Sequence, residues 1–241
     1  MIKALSPNFD ERPAGHSINS LIMHYTGMKT AADAFNRMCD PAAKVSAHYM
    51  VYEDGKIANL VPEIKRAWHA GISCWRGISS LNDTSIGIEI VNPGHEFGYK
   101  PFPEEQMESV EILAMDIMKR YAIEPRNVVG HSDIAPSRKQ DPGELFNWRH
   151  LSAMDVGLWP KPSRTWRPAH VLVRPGEEST AVASVQARLA KYGYHIRVDA
   201  YYGIKTEQIV TAFKRHFVPE QLNASWDKLA DNRINSLLSQ I

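Results

Sequence analysis

The chain has 241 residues, about one and a half times the ~150-residue domain prior, so one large domain or two unequal ones fit. Apolar residues make up 44% and charged residues 23%, ordinary globular values that exclude a disordered or collagen-like chain. Lys and Arg number 28 against 27 Asp and Glu, and the resulting net charge of +1 argues against nucleic acid as a partner, because phosphate binding relies on clustered cations. The apolar stretches are a few residues long, well short of the ~20 that a transmembrane helix needs, so no transmembrane segment is expected. The first residues, Met1 to Pro7, contain no apolar core of a secretory signal. Cys39 and Cys74 allow one bridge at most, and free thiols are expected in a chain large enough to fold without one.

In chain order, Ser20–Tyr25 reads as the first strand, closed by Thr26-Gly27. Thr30 can cap a helix over Ala31–Met38, with Pro41 following. His48–Tyr52 reads as a strand, and Glu53-Asp54-Gly55-Lys56 as a tight turn into a partner strand over Ile57–Val61. A further buried strand spans Ser85–Val91, stopped by Asn92-Pro93-Gly94. Pro103 and Glu104-Glu105 suit a helix start, and Val110, Leu113, Ala114, Ile117 and Met118 recur on one face at helical spacing. Asn127–Gly130 is a short strand leading into His131.

Strands interleaved with helices predict an α/β (mixed α+β) fold, a central mixed sheet flanked by helices. That unit is expected to occupy 1–160. A Pro-rich stretch follows, and 161–176 is expected to be a linker. Beyond it only helix is expected, with apolar faces at Val182, Val185, Leu189, at Ile209, Val210, Phe213, Phe217, and at Leu229, Ile234, Leu237, Leu238. These make 177–241 a small three-helix bundle.

The stretch Gly130 to Gly143 places His131 at a strand end and an aspartate in the loop after it, while His24 ends another predicted strand. Two imidazoles and one carboxylate can hold zinc with a vacant fourth position for water, whose pKa then falls to around 7. By spacing alone this is thin ground, since the chain has 10 histidines and a histidine near a strand end is more often structural.

The chain resembles the zinc-dependent N-acetylmuramoyl-L-alanine amidase family, which includes bacterial cell-wall amidases, phage enzymes and animal peptidoglycan recognition proteins. The resemblance runs from about Ser17 to Pro160. It is carried by Ile22-Met23-His24-Tyr25-Thr26, Val45-Ser46-Ala47-His48-Tyr49, Trp68-His69-Ala70-Gly71, Ser85-Ile86-Gly87-Ile88-Glu89 and the stretch His131 to Gly143, in family order. It implies that His24, His131 and Asp141 hold one Zn2+ per chain. It implies that Glu89 moves the proton of the attacking water, and that Lys139 faces the scissile carbonyl, where a cation stabilises the developing oxyanion. His48, Tyr49, Trp68 and His69 are the expected substrate-groove residues, with core packing the competing role for the aromatic ones. The chain departs from some phage members in carrying Ala47 where they have a tyrosine. His95, His150, His170, His195 and His216 match no motif and are read as structural or exposed.

The region Val185–Tyr194, then Asp199-Ala200-Tyr201-Tyr202-Gly203 and Ala212-Phe213, resembles the three-helix peptidoglycan-binding module. Asp199-Ala200 replaces that module's Asp-Gly. The expected activity is hydrolysis of the amide between N-acetylmuramic acid and L-alanine in peptidoglycan or muropeptides, in wall degradation or recycling. The expected location is the bacterial envelope or periplasm. The alternatives are a non-catalytic peptidoglycan-binding or recognition protein, and a zinc peptidase cutting within the stem peptide.

Overall fold

The computed structural model describes residues 2–3, 5–161 and 170–241. The amino-terminal unit contains β1 (Ile2–Lys3), β2 (Phe9–Glu11), β3 (Ser20–Tyr25), helix α1 (Ala31–Cys39), β4 (Tyr49–Val51), β5 (Ile57–Asn59), β6 (Lys65–Ala67), β7 (Cys74–Trp75), β8 (Ile78–Ser79) and β9 (Ser85–Ile90). The short helix α2 (Gly94–Phe97), the long α3 (Glu104–Tyr121), β10 (Val128–Gly130), α4 (His131–Ile134) and α5 (Trp148–Ser152) complete it. The carboxy-terminal unit contains β11 (Val171–Val173), α6 (Thr180–Tyr192), α7 (Ile204–Phe217), β12 (Trp226–Asp227) and α8 (Lys228–Leu238).

Six strands form one mixed sheet in the order β1-β5-β4-β9-β3-β10. The β4–β5 pair is antiparallel, turned by Gly55 in the left-handed region at φ 75°, and the other pairs are parallel. The central strands β3 and β9 are almost wholly buried, as their continuous apolar runs require. Thr30 caps α1 as expected, its hydroxyl accepting from the Asp33 N–H at 3.0 Å.

Alternation along the strands sorts side chains to two faces. Leu21, Met23, Ile86, Ile88 and Ile90 face α3 and pack on its Val110, Leu113, Ala114 and Ile117. The opposite face carries Met50, which packs with Ala34 and Met38 of α1. Ile22 and Val129 belong to the same apolar cluster as Val182, Leu189, Tyr192, Tyr194, Phe213 and Phe217 of the carboxy-terminal unit. The two units therefore share one core, not merely a tether.

One correction to the sequence expectation follows. Residues 171–173 of the expected linker form a strand paired with Trp226–Asp227, so the second unit is three helices plus a two-stranded ribbon, not helix alone. Trp226 is wholly buried, which draws this strand inward. The central part of the expected linker, 162–169, lies outside the described residues. Cys39 and Cys74 are free thiols.

Candidate metal centre and catalytic face

Strand register places the site. In the β3–β9 ladder His24 lies directly opposite Glu89, and in the β9–β4 ladder Glu89 lies opposite Met50. Paired residues on neighbouring strands point to the same face, about 4.8 Å apart. Gly130 pairs with Met23, so His131, the next residue, comes level with His24 where β10 runs into α4. Asp141 arrives from the following loop, whose backbone is tied back when the Ser132 N–H donates to the Asp141 carbonyl at 2.9 Å.

The His24 Nδ1, His131 Nδ1 and Asp141 Oδ2 atoms form a buried triangle. The two nitrogens are 3.0 Å apart, and they lie 3.0 and 2.9 Å from the carboxylate oxygen. Among the described residues this is the one group of three His, Cys, Asp or Glu donors close enough to share a metal ion.

The surrounding hydrogen bonds decide where the imidazole protons sit. The Ser85 hydroxyl donates to the Leu81 carbonyl, so its oxygen accepts from His69 Nε2 at 3.2 Å. His69 Nδ1 then carries a lone pair and accepts from His24 Nε2 at 3.0 Å. That leaves His24 Nδ1 bare toward the triangle. His131 Nε2 donates to the Ala70 carbonyl at 3.1 Å, which leaves its Nδ1 bare as well. Two lone pairs and a carboxylate oxygen converge with no proton between them, an arrangement that repels itself unless a cation sits at its centre. The donor set, two imidazoles and one carboxylate, suits zinc with a fourth position left for solvent.

His69 reaches His24 because the strand beneath it has no side chain. A Cβ on Gly87 would stand 2.5 Å from the His69 ring. The imidazoles of His24 and His69 meet edge to face with centroids 5.1 Å apart.

Electrostatics follow the burial. Burial, reinforced by His131, holds His24 down at about 4. Burial alone would raise Asp141, yet the adjoining His131 and His24 hold its carboxyl well below the ordinary range. Glu89 goes the other way. Burial and the Asp141 charge push its carboxyl well above the ordinary value, against the pull of the Lys139 ammonium. Glu89 Oε2 is shut off from solvent and has no hydrogen-bond partner among the described residues. Lys139 is half-buried and near enough to act on both His24 and Glu89 through its charge.

The expected groove residues do not share one location. His48 is wholly buried, with Nδ1 accepting from the Gly87 N–H at 3.0 Å and Nε2 3.1 Å from the Lys65 carbonyl, so it braces β4 and offers nothing to a ligand. Tyr49 pairs with Ile88 and therefore points to the α3 face, away from His24, with its hydroxyl donating to Glu63 at 2.7 Å. Period-two alternation turns Tyr49 to the α3 face, whereas His48, on the other face with its ring centroid 5.7 Å from that of His69, is removed by burial and by its own hydrogen bonds. His69 is buried behind His24, while Trp68 is half-buried.

Of the histidines read from the sequence as structural or exposed, His216 is structural. This histidine of α7 is buried, stacks on Trp148 with centroids 3.9 Å apart, and places Nδ1 2.7 Å from Asp133 Oδ2. No local pattern marks it, because its partner lies 83 residues away.

A family model for N-acetylmuramoyl-L-alanine amidase matches residues 14–144. A model for a peptidoglycan binding domain matches residues 178–221. N-acetylmuramoyl-L-alanine amidase AmiD of Escherichia coli K12 is 40% identical over 224 residues, which span 87% of this chain and 78% of AmiD. The solved complex of E. coli AmiD with anhydro-N-acetylmuramic acid-L-Ala-D-γ-Glu-L-Lys matches with a TM-score of 0.80 at 34% identity, covering 97% of this chain and 98% of that one. AMPDH3 from Pseudomonas aeruginosa, solved with anhydromuramic pentapeptide, matches with a TM-score of 0.76 at 29% identity, covering 92% of each chain. On its fold, its buried His-His-Asp group and these likenesses together, the chain belongs to the N-acetylmuramoyl-L-alanine amidase family.

Proposed function

We propose that this enzyme is a zinc-dependent amidase that cuts the bond between N-acetylmuramic acid and the L-alanine of the stem peptide, with His24, His131 and Asp141 as the zinc ligands. The observation that carries the reading is the triangle of bare donor atoms about 3 Å apart, its imidazole protons drawn to the far side by Ala70 and His69. Zinc bound there supplies a water of lowered pKa and a Lewis-acid contact for the scissile carbonyl.

The chain's own groups do the rest. Glu89 stands beside His24 on the same face of the sheet, and its raised carboxyl suits a group that takes a proton and gives it up again. It accepts the proton of the attacking water and passes it to the departing nitrogen. Lys139 directs a positive charge at the oxygen that becomes negative as the carbonyl is attacked. Ala47 offers no hydroxyl, so no phenol shares the proton transfer with Glu89. Trp68 supplies an apolar surface at the groove, and His69 orients His24 from behind.

Residues 1–160 make up the catalytic unit in this reading. The second unit, which extends from the strand at 171 to the end of the chain, recognises wall polymer. The relatives solved with anhydro-muramyl peptides support a muropeptide or wall-derived substrate, and with that substrate goes the proposed place in the bacterial envelope. No described helix is long and apolar enough to cross a membrane.

The test combines elemental analysis with mass spectrometry of digests of soluble anhydro-muropeptides and of whole sacculi. One zinc per chain and free stem peptides, both lost on chelation and restored by zinc, are expected. A shortened peptide still attached to sugar would reveal a peptidase instead. Unaltered substrate from the zinc-loaded protein would leave only a recognition role.

A further inference from the structure

The last turn of α7 grips the metal-binding loop at two places. His216 Nδ1 lies 2.7 Å from Asp133 Oδ2, and the Tyr194 hydroxyl donates to Asp133 Oδ1 at 2.6 Å. The same carboxylate accepts from the Gly130 N–H at 2.8 Å, so it binds the backbone immediately before His131. Asp133 and His216 are 1% and 2% exposed, and the stack of Trp148, His216 and Phe217 locks the imidazole plane. One residue earlier on α7, Arg215 donates to Gln140 Oε1 at 3.4 Å and to Glu144 Oε2 at 3.3 Å. Those contacts flank Asp141. Adjacent residues of the carboxy-terminal unit thus hold the loop beside both of the ligands it carries.

We propose that Tyr194, Arg215 and His216 are positioning residues of the metal centre, so that the carboxy-terminal unit sets metal affinity and turnover as well as meeting the wall. The inference rests on the zinc reading above. Its physical basis is that a buried carboxylate deprived of one donor must find another or move. Asp133 is tied by its hydrogen bond to the Gly130 N–H, so its displacement disturbs the backbone that carries His131. Outer contacts of this kind typically change metal affinity or activity by about 10–100-fold.

The test uses the full-length zinc protein and three variants, His216→Phe, Tyr194→Phe and Arg215→Gln. His216→Phe keeps a flat ring between Trp148 and Phe217, and Tyr194→Phe removes a single hydroxyl, so both leave the packing of the core in place. Ile234→Val, a change in the wholly buried core of α8, serves as a stability control. Three quantities are read: zinc retention against a competing chelator, kcat and KM on a soluble anhydro-muropeptide, and thermal stability. His216→Phe is expected to lose zinc about 10-fold more readily and to lower kcat with KM within twofold, with smaller effects from Tyr194→Phe and Arg215→Gln. Ile234→Val is expected to lower the melting temperature and leave zinc retention unchanged. Equal zinc retention and kcat in wild type and all three variants would overturn the positioning role alone. A wild type that binds no zinc would overturn it together with the zinc reading.

Discussion

His24 and Glu89 stand opposite each other on two central strands, where a ladder of backbone hydrogen bonds and a packed apolar face determine their positions. His131, Lys139 and Asp141 lie on a short helix and loop at the sheet edge, whose hold comes from outside: Arg138 donates to the Ala70 and Ile72 carbonyls, and α7 presses from the other side. One half of the site is a property of the sheet. The other half is assembled by contacts between segments far apart in sequence. Rigid strands supply precise placement for a few groups, whereas a loop can carry more chemistry only when tertiary contacts restrict it.

Substitutions can break this comparison at successive levels. Asp141→Ala removes the carboxylate on which both imidazoles converge, and bound zinc and amidase activity are expected to fall to background, as measured by elemental analysis and product release. Glu89→Gln alters the strand half without touching a ligand. It is expected to keep zinc and lose activity by on the order of 10²-fold or more. Near-normal turnover would remove Glu89 from the proton path. Gly87→Ala acts on the ring behind His24, because the added methyl would stand 2.5 Å from His69. Weaker zinc retention, by about 10-fold, is expected from chelator competition.

Acid probes the loop half. Burial raises the Glu144 carboxyl, but the His95 hydrogen bond and the Arg215 charge overcome it and hold the group down to about 2. A depressed carboxyl stabilises the fold above its unfolded value and loses that contribution as pH falls toward 2. The melting-temperature gap between wild type and Glu144→Gln is therefore expected to be widest near neutrality, to begin closing below about pH 4.5, the ordinary carboxyl value, and to vanish toward pH 2. A gap constant down to pH 2 would count against the ion pair.

The smallest effect concerns Ala200. It occupies the left-handed region at φ 66°, where the resembling module has glycine. Ala200→Gly is expected to stabilise the chain by about 1 kcal/mol, seen as a rise of a few degrees in the melting temperature, with no change in zinc retention.

The strands and α3 could be read from the sequence because their apolar spacing is local and strong. Ser20–Tyr25 and Ser85–Ile90 match the expected runs, and Glu104–Tyr121 follows from its apolar stripe. The outline of the site was legible as well, since His24 and His131 end apolar strands and the family likeness pointed to Asp141. What spacing could not convey was direction and depth. Tyr49 sits one residue from His48 yet faces α3, and only the register with Ile88 reveals it. The hydrogen-bond chain from Leu81 through Ser85 and His69 needs a ring lying over Gly87, a contact between distant segments. His216 was silent for the same reason.

Anomalous diffraction at the zinc edge on crystals of the protein tests the central claim most directly. One peak per chain is expected, about 2.0–2.2 Å from His24 Nδ1, His131 Nδ1 and an Asp141 carboxylate oxygen. A peak held by other residues, or none from zinc-equilibrated crystals, would contradict the account.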